Sequence, residues 1–227
     1  MATHANALAV MAKAPLAGQV KTRLLSSFTA EEAAELSRSL LVDQLNHVRE
    51  LDQTDFYLAF APDHARLLME KLAPSCFRLF PQQGHDLGGR MAAVFKRLFQ
   101  MGHKNIALIG GDLPPVPQGF FEQAYAFLES LKKRVVLGPS RDGGYYLVGC
   151  NQPTPEMFHG MTWSHSDVLT ETRNKLASLK VDYYLLPPWF DIDTAEDLRH
   201  LESVSDHALK KAMPNTLLLL QRLGLKK

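Results

Sequence analysis

Several acidic and basic side chains fall where apolar runs of the sequence end, and together they could grip a diphosphate through a divalent cation. The apolar run Ala7 to Ala12 leads into Lys13-Ala14-Pro15-Leu16-Ala17-Gly18-Gln19-Val20-Lys21-Thr22-Arg23. A loop holding Gly18 and the cations Lys13, Lys21 and Arg23 can cradle phosphate oxygens with backbone N–H groups and positive charge. It is not a Walker loop, because that pattern needs glycine directly before the lysine and Val20 stands there. The other reading is a solvated, positively charged loop.

Gly110-Gly111-Asp112-Leu113-Pro114 follows the run Ile106 to Ile109. Paired glycines admit a close approach. A carboxylate at the end of a buried strand suits Mg²⁺ or Mn²⁺, which take carboxylates together with substrate phosphates. Asp112 could instead satisfy the donors of a strand-to-helix turn. Asp191-Ile192-Asp193 puts two carboxylates on one side of an extended segment. Asp191 is the better metal ligand; Asp193, followed by Glu196, also fits a helix start, and Thr194 could cap as well.

Further motifs carry two readings each. Arg141-Asp142-Gly143-Gly144 is a hairpin turn, or a site that reads a sugar or acceptor, which makes Asp142 a catalytic candidate beside Asp112. Arg90 follows the glycine-rich stretch Gln83 to Gly89. In a first helical turn it opposes the macrodipole unless it faces an anion, and a plain helix entry capped by Asp86 fits equally. His165, next to Trp163 and Ser164, is an acid/base candidate, although a lone histidine is more often a surface or capping residue.

The elements that would place these residues alternate from the start. Strands are expected at Ala7–Ala12, Phe56–Phe60, Phe77–Phe80 and Ile106–Ile109. Helices are expected from Thr29 to Glu50, with Glu32 at capping-box spacing from Thr29, from Asp63 to Leu72, and from Arg90 to Met101. Short apolar strands between longer helices predict βαβ units and a parallel sheet. After Ser130 the pattern turns mixed: Val135–Leu137, Tyr145–Val148 and Tyr183–Leu186 read as strands, some of them antiparallel, and a further helix starts near Thr194. The fold class is therefore α/β, a three-layer α/β/α arrangement around a mostly parallel, Rossmann-like sheet with antiparallel additions. Residues 1–204 form the expected domain, with a helical tail, 205–227, packed on it.

With 46% apolar and 22% charged residues and a net charge of +1, the chain has a full core and no overall field toward nucleic acid. Cys76 and Cys150 cannot make a disulfide framework, which favours a reducing cytoplasm. No signal peptide and no membrane span are expected. The apolar tail, Leu217 to Leu225, leaves a homodimer open.

Five segments in order carry a resemblance: Lys13-Ala14-Pro15…Gly18…Lys21-Thr22-Arg23-Leu24, Asp86 to Met91, Gly110 to Pro114, Gly138-Pro139…Asp142 to Tyr145, and Phe190 to Thr194…Asp197-Leu198. The sequence resembles the nucleotide-diphospho-sugar transferase superfamily, the glycosyltransferase-A fold. More closely it is similar to a bacterial glycosyltransferase family associated with radical-SAM and selenodomain proteins. The resemblance implies a nucleotide over the first strand's loop, a metal on Asp112, and a further ligand from Asp191 or Asp193. It departs from the pattern twice. Gly110 stands where an Asp-x-Asp motif would have its first aspartate, and Pro15 to Val20 holds only one glycine. Glycosyl transfer from a nucleotide sugar to a small-molecule acceptor, nucleotidyl transfer from a nucleoside triphosphate, and non-catalytic nucleotide binding all remain open at this point.

Overall fold

The computed structural model describes residues 2–203 and 206–224; the expected boundary at 204/205 and the tail's last residues, 225–227, lie outside them. In chain order the elements are β1 (Asn6–Lys13), α1 (Ala30–Val48), β2 (Thr54–Ala61), α2 (Arg66–Leu72), β3 (Phe77–Pro81), α3 (Leu87–Gln100), β4 (Asn105–Gly110), α4 (Gln118–Leu128), β5 (Arg134–Pro139), β6 (Tyr145–Cys150), α5 (Val168–Ser178), β7 (Asp182–Leu185), α6 (Ala195–Ser203), α7 (His207–Ala212) and α8 (Pro214–Arg222). The strands form one sheet in the order β3-β2-β1-β4-β6-β5-β7. β1, β2, β3 and β4 pair in parallel, β6 runs antiparallel to both β4 and β5, and β7 lies parallel to β5. The fold is the expected three-layer α/β/α sandwich.

Period-2 alternation explains why β1 and β2 read as unbroken apolar runs. Leu8, Val10, Phe56 and Leu58 pack on one face with Leu41 and Leu45 of α1, Met69 of α2 and Phe121 of α4. Ala7, Ala9, Tyr57 and Ala59 face the other way, against Met91, Val94, Phe95 and Leu98 of α3 and Leu176 of α5. A parallel sheet covered on both sides has no polar face to show.

Helix α1 begins in the capping box its sequence predicts: Thr29 Oγ1 accepts from Glu32 N at 3.2 Å, and Glu32 Oε2 accepts from Thr29 N at 2.8 Å. Helix α3 starts at Leu87, three residues before the expected Arg90, because Asp86 accepts from Gly89 N at 2.7 Å. The stretch Asp63 to Leu72 divides into a 3-10 turn over Asp63–Ala65 and α2.

The outer face of α1 carries a third cluster, in which Leu36 and Leu40 meet Leu198, Leu201, Leu209, Leu219 and Leu220 of the last three helices and Met213 between α7 and α8. Asp43, 1% exposed, fixes the start of α8. Its carboxylate accepts from Asn215 N and Nδ2 and from Thr216 N and Oγ1, at 2.7–3.1 Å. Removing the charged acceptor strands the two buried Thr216 donors, each worth roughly 1–3 kcal/mol and not additive, and releases the more exposed Asn215 pair. Asp43→Ala is therefore expected to cost about 3 kcal/mol in a denaturant melt and to open the chain near residues 203–214 to protease. Unchanged stability would show that α8 docks through leucine packing alone.

A buried polar cluster lies at the amino end of the sheet. His103, with its side chain 0% exposed, has Nδ1 3.0 Å from His4 O and Nε2 2.7 Å from Tyr57 Oη. A carbonyl only accepts, so Nδ1 carries the proton and Nε2 accepts from Tyr57. The Tyr57 hydroxyl in turn accepts from Arg78 Nη1 at 3.1 Å. Burial pushes the His103 pKa down, against the opposing pull of His4 O and Asp55. As pH falls through about 6.5, the unfolded chain takes up a proton that the folded chain resists, so stability drops. His47, also held below its usual value by burial, adds in the same direction. Asp191, whose pKa burial raises to about 6, works the other way over the same range, so the contrast between proteins is the test. From pH 7.5 to pH 6 the wild type should lose more melting temperature, or gain less, than His103→Gln, and equal pH dependence in the two proteins would clear His103.

Candidate active site

Chain order places β1 between β2 and β4, so the crossovers leave β1 in opposite directions and open a crevice at the strands' carboxyl ends. A cleft of about 640 Å³ lies there, lined by the 11–13 and 19–23 segments after and within β1's end, by Gly110–Leu113 after β4, and by Asp191 and Asp193. Gly111 lets β4's end close on its neighbours, since a Cβ there would stand 2.8 Å from Ala12 Cβ and 2.9 Å from Leu41 Cδ1.

The β1 loop turns back through two left-handed residues, Gly18 (φ 74°) and Lys21 (φ 49°). The second is unusual for a side chain with a Cβ. Lys21 is held there by three bonds from its ammonium, to Asp112 O (2.9 Å), Asp112 Oδ2 (3.2 Å) and Asp193 Oδ1 (3.1 Å). Burial alone would depress the Lys21 pKa, but the charges of Asp112 and Asp193 outweigh it and the pKa lies above its ordinary value. Lys21 reciprocally holds Asp112 below the usual carboxylate range. The cap of α6 falls to Thr194, whose Oγ1 accepts from Asp197 N while Asp197 Oδ2 accepts from Asp193 N and Thr194 N. This leaves the Asp193 carboxylate to face Lys21.

Asp191 has different company. Ser140 Oγ lies 2.8 Å from Asp191 Oδ2 and 2.5 Å from Asp142 Oδ1. A hydroxyl has one proton to give, so both contacts are satisfied together only when one carboxyl carries a proton. Asp191 is the natural holder: burial, reinforced by the charges of Asp112, Asp142 and Asp193, pushes its pKa up to about 6. The Asp142 carboxylate also accepts from Gly144 N at 3.0 Å and sits on an exposed turn outside the cleft lining.

Of the other sequence candidates, Lys13, Arg23 and Arg90 line the cleft and Gly18 does not. Arg23 is 65% exposed and reaches Asp193 Oδ2 at 3.5 Å. Arg90 is the fourth residue of α3, its Nε 3.4 Å from Gly84 O. His165 organises its own loop, with Nδ1 accepting from Asp167 N and Nε2 beside Thr162 Oγ1. Sequence reasoning missed Ser140, Gln82, Ser164 and Trp189. Gln82 Nε2 donates to Ala59 O (2.8 Å) and Ala12 O (3.3 Å), sealing β1 to β2 beside the cleft. Ser164 lines the cleft with a left-handed φ of 67°. Trp189 ties the 189–193 segment down, donating from N to Pro139 O and from Nε1 to Pro114 O at 3.0 Å.

The donor set fits a hard divalent cation. Asp112, Asp191 and Asp193 line one cleft, and only Asp112 and Asp193 share the buried Lys21 ammonium; carboxylates are the ligands that Mg²⁺ and Mn²⁺ take together with substrate phosphates. Among the described residues no group of three or more His, Cys, Asp or Glu could hold a metal on its own, so phosphate oxygens of a substrate would complete the shell.

This sheet order, with its crevice at the switch point, defines the fold as that of the nucleotide-diphospho-sugar transferases. A solved structure from Desulfovibrio desulfuricans G20, described as a "putative nucleotide-diphospho-sugar transferase", aligns over 98% of this chain and 97% of its own with TM-score 0.89 and 29% identity. Two others share the fold at lower likeness. The 4-diphosphocytidyl-2C-methyl-D-erythritol synthase of Anaerococcus prevotii DSM 20548 matches with TM-score 0.55 and 11% identity over 86% of this chain and 94% of its own. The inositol-1-phosphate CTP transferase of T. maritima matches with TM-score 0.51 and 14% identity over 94% and 96%. No curated protein matches the sequence significantly. The chain belongs to the bacterial family described as "Uncharacterized protein conserved in bacteria (DUF2064)", whose model matches residues 44–165. No helix among the described residues is long and apolar enough to cross a membrane.

Proposed function

We propose that this chain is a metal-dependent glycosyltransferase that moves a sugar from a nucleotide sugar to a small-molecule acceptor. The observation that carries the reading is the convergence of Asp112, Asp191 and Asp193, from two distant segments, on one cleft at the carboxyl edge of the sheet. These three would hold Mg²⁺ or Mn²⁺. Bound there, the cation would neutralise charge on the departing nucleoside diphosphate.

The chain's own residues do the rest. Lys13, Arg23 and Arg90 present positive charge from the cleft walls to the diphosphate. Asp142, on an exposed turn and linked through Ser140 to Asp191, would take the proton that an acceptor hydroxyl gives up. The bond between the sugar's anomeric carbon and the diphosphate oxygen breaks as the bond to the acceptor oxygen forms.

Nucleotidyl transfer is the second reading. β4 ends at Gly110, and Asp112 two places on is the single aspartate there, which departs from the Asp-x-Asp arrangement of related glycosyltransferases. Thermal unfolding against nucleoside diphosphates, triphosphates and nucleotide sugars, with and without Mn²⁺, separates the two. A ligand at ~100 times its dissociation constant adds about 2.7 kcal/mol. A Mn²⁺-dependent shift with a nucleotide sugar or diphosphate supports glycosyl transfer, and a shift with triphosphates only supports nucleotidyl transfer. Binding without turnover over a broad acceptor panel would leave a nucleotide-binding module.

A further inference from the structure

The Lys21 ammonium has three protons, and three acceptors take them: Asp112 O, Asp112 Oδ2 and Asp193 Oδ1. It has no donor to spare for a phosphate oxygen. Nor is it a mobile surface cation: its side chain is 2% exposed, and its backbone is fixed in a left-handed turn. It stands between two carboxylates that converge from segments 81 residues apart in number, Asp112 and Asp193, and among the described residues no other cation pairs with both.

We propose that Lys21 is a built-in counter-ion that occupies the position of the divalent cation between Asp112 and Asp193, so that a cation settles there only when the ammonium is displaced. This rests on the reading of those two carboxylates as cation ligands. A divalent ion entering beside the ammonium meets like charge at close range, so the ion alone binds weakly. A diphosphate supplies the oxygen acceptors that a displaced ammonium needs. Each partner therefore improves the site for the other, and the coupling is reciprocal. Before loading, Lys21 holds β4's end and the 189–193 segment at the spacing the cation will use, which makes it a positioning residue. After loading it becomes a phosphate donor. The device keeps free metal out of a site that lacks its diphosphate.

The test is Mn²⁺ titration without nucleotide, followed by electron paramagnetic resonance, on the wild type, Lys21→Met and Lys21→Arg. Lys21→Met should bind Mn²⁺ at least tenfold more tightly than the wild type, about 1.4 kcal/mol, and melt at a lower temperature without metal. Lys21→Arg should stay close to the wild type. Inorganic pyrophosphate should raise the Mn²⁺ affinity of the wild type more than that of Lys21→Met. If both proteins bind Mn²⁺ and Lys21→Met binds no more tightly, the counter-ion role is overturned while the metal reading stands. If none of the proteins binds Mn²⁺, even with pyrophosphate, the metal reading falls and takes the inference with it. Should Lys21→Met fail to fold, the wild type labelled with ¹⁵N-lysine decides. Its hydrogen-bonded Lys21 ammonium signal should shift when Mg²⁺ and pyrophosphate are added, and an unmoved signal at saturation overturns the proposal.

Discussion

Asp112→Asn should abolish nearly all metal-dependent nucleotide binding and leave the protein folded. The substituted side chain is 56% exposed, and Lys21 keeps its bonds to Asp112 O and Asp193, so the packing around β4's end survives. What is lost is the formal charge of a hard-cation ligand, for which an amide is a poor substitute. A ~100-fold fall in affinity corresponds to about 2.7 kcal/mol. A nucleotide concentration that stabilises the wild type by about 2.7 kcal/mol would then stand near the variant's dissociation constant and add only about 0.4 kcal/mol. Asp142→Asn provides the contrast. Its carboxylate lies outside the cleft lining, so nucleotide binding should persist while turnover falls. An Asp112→Asn protein with the full Mn²⁺-dependent shift would remove the metal from β4's end, and an Asp142→Asn protein with full turnover would take Asp142 out of the chemistry.

That contrast follows the line between what the sequence discloses and what it does not. β1, β2 and β4 are legible because burial on both faces leaves them continuously apolar, and the residues at their carboxyl ends follow directly. Asp112 is placed in this way, whereas Asp191 and Asp193 come after β7, whose alternating exposure is a weaker signal. The insertion of antiparallel β6 between β4 and β5 is a tertiary choice that leaves no local pattern. Helix α4 gives little warning either: it follows Pro114-Pro115-Val116-Pro117, has Gly119 as its second residue, and lacks a side-chain cap.

Partnerships are the other illegible layer. Lys21 is visibly a loop cation, but its acceptors lie 91 and 172 residues away. The bridging of Asp142 and Asp191 by Ser140 spans 51 residues, and Trp189 reaches back 75 to Pro114. A motif read along the chain shows which charges are present. Which of them neutralise one another depends on contacts that no spacing rule encodes, and here that decides how many carboxylates are left for a cation.

Gly143→Ala should be among the most damaging single-methyl additions to this chain, because at that position two separate costs fall together. Gly143 has φ 89°, and a Cβ on it would lie 1.9 Å from Ser166 O and 2.5 Å from Ser166 C. The obstacle is backbone, so no rotamer change relieves it. Gly143 O also accepts from Leu169 N at 2.9 Å, which ties the turn to the start of α5. Left-handed backbone in a residue with a Cβ costs roughly 1–2 kcal/mol, and overpacking a further ~1–3 kcal/mol. A loss of about 3 kcal/mol lowers the melting temperature of a chain this long by roughly 6–12 °C. Gly160 separates the terms: its φ is 62°, but nothing lies within 4 Å of its Cβ position. Gly160→Ala should therefore lose only the backbone part, about 1 kcal/mol. Equal losses in the two variants would mean that the 164–167 segment moves aside freely. A much larger loss in Gly143→Ala means that the 140–144 turn and the segment bearing Ser164 are one rigid unit. In that case the methyl also shifts Ser140 from between Asp142 and Asp191, and metal-dependent nucleotide binding weakens along with stability.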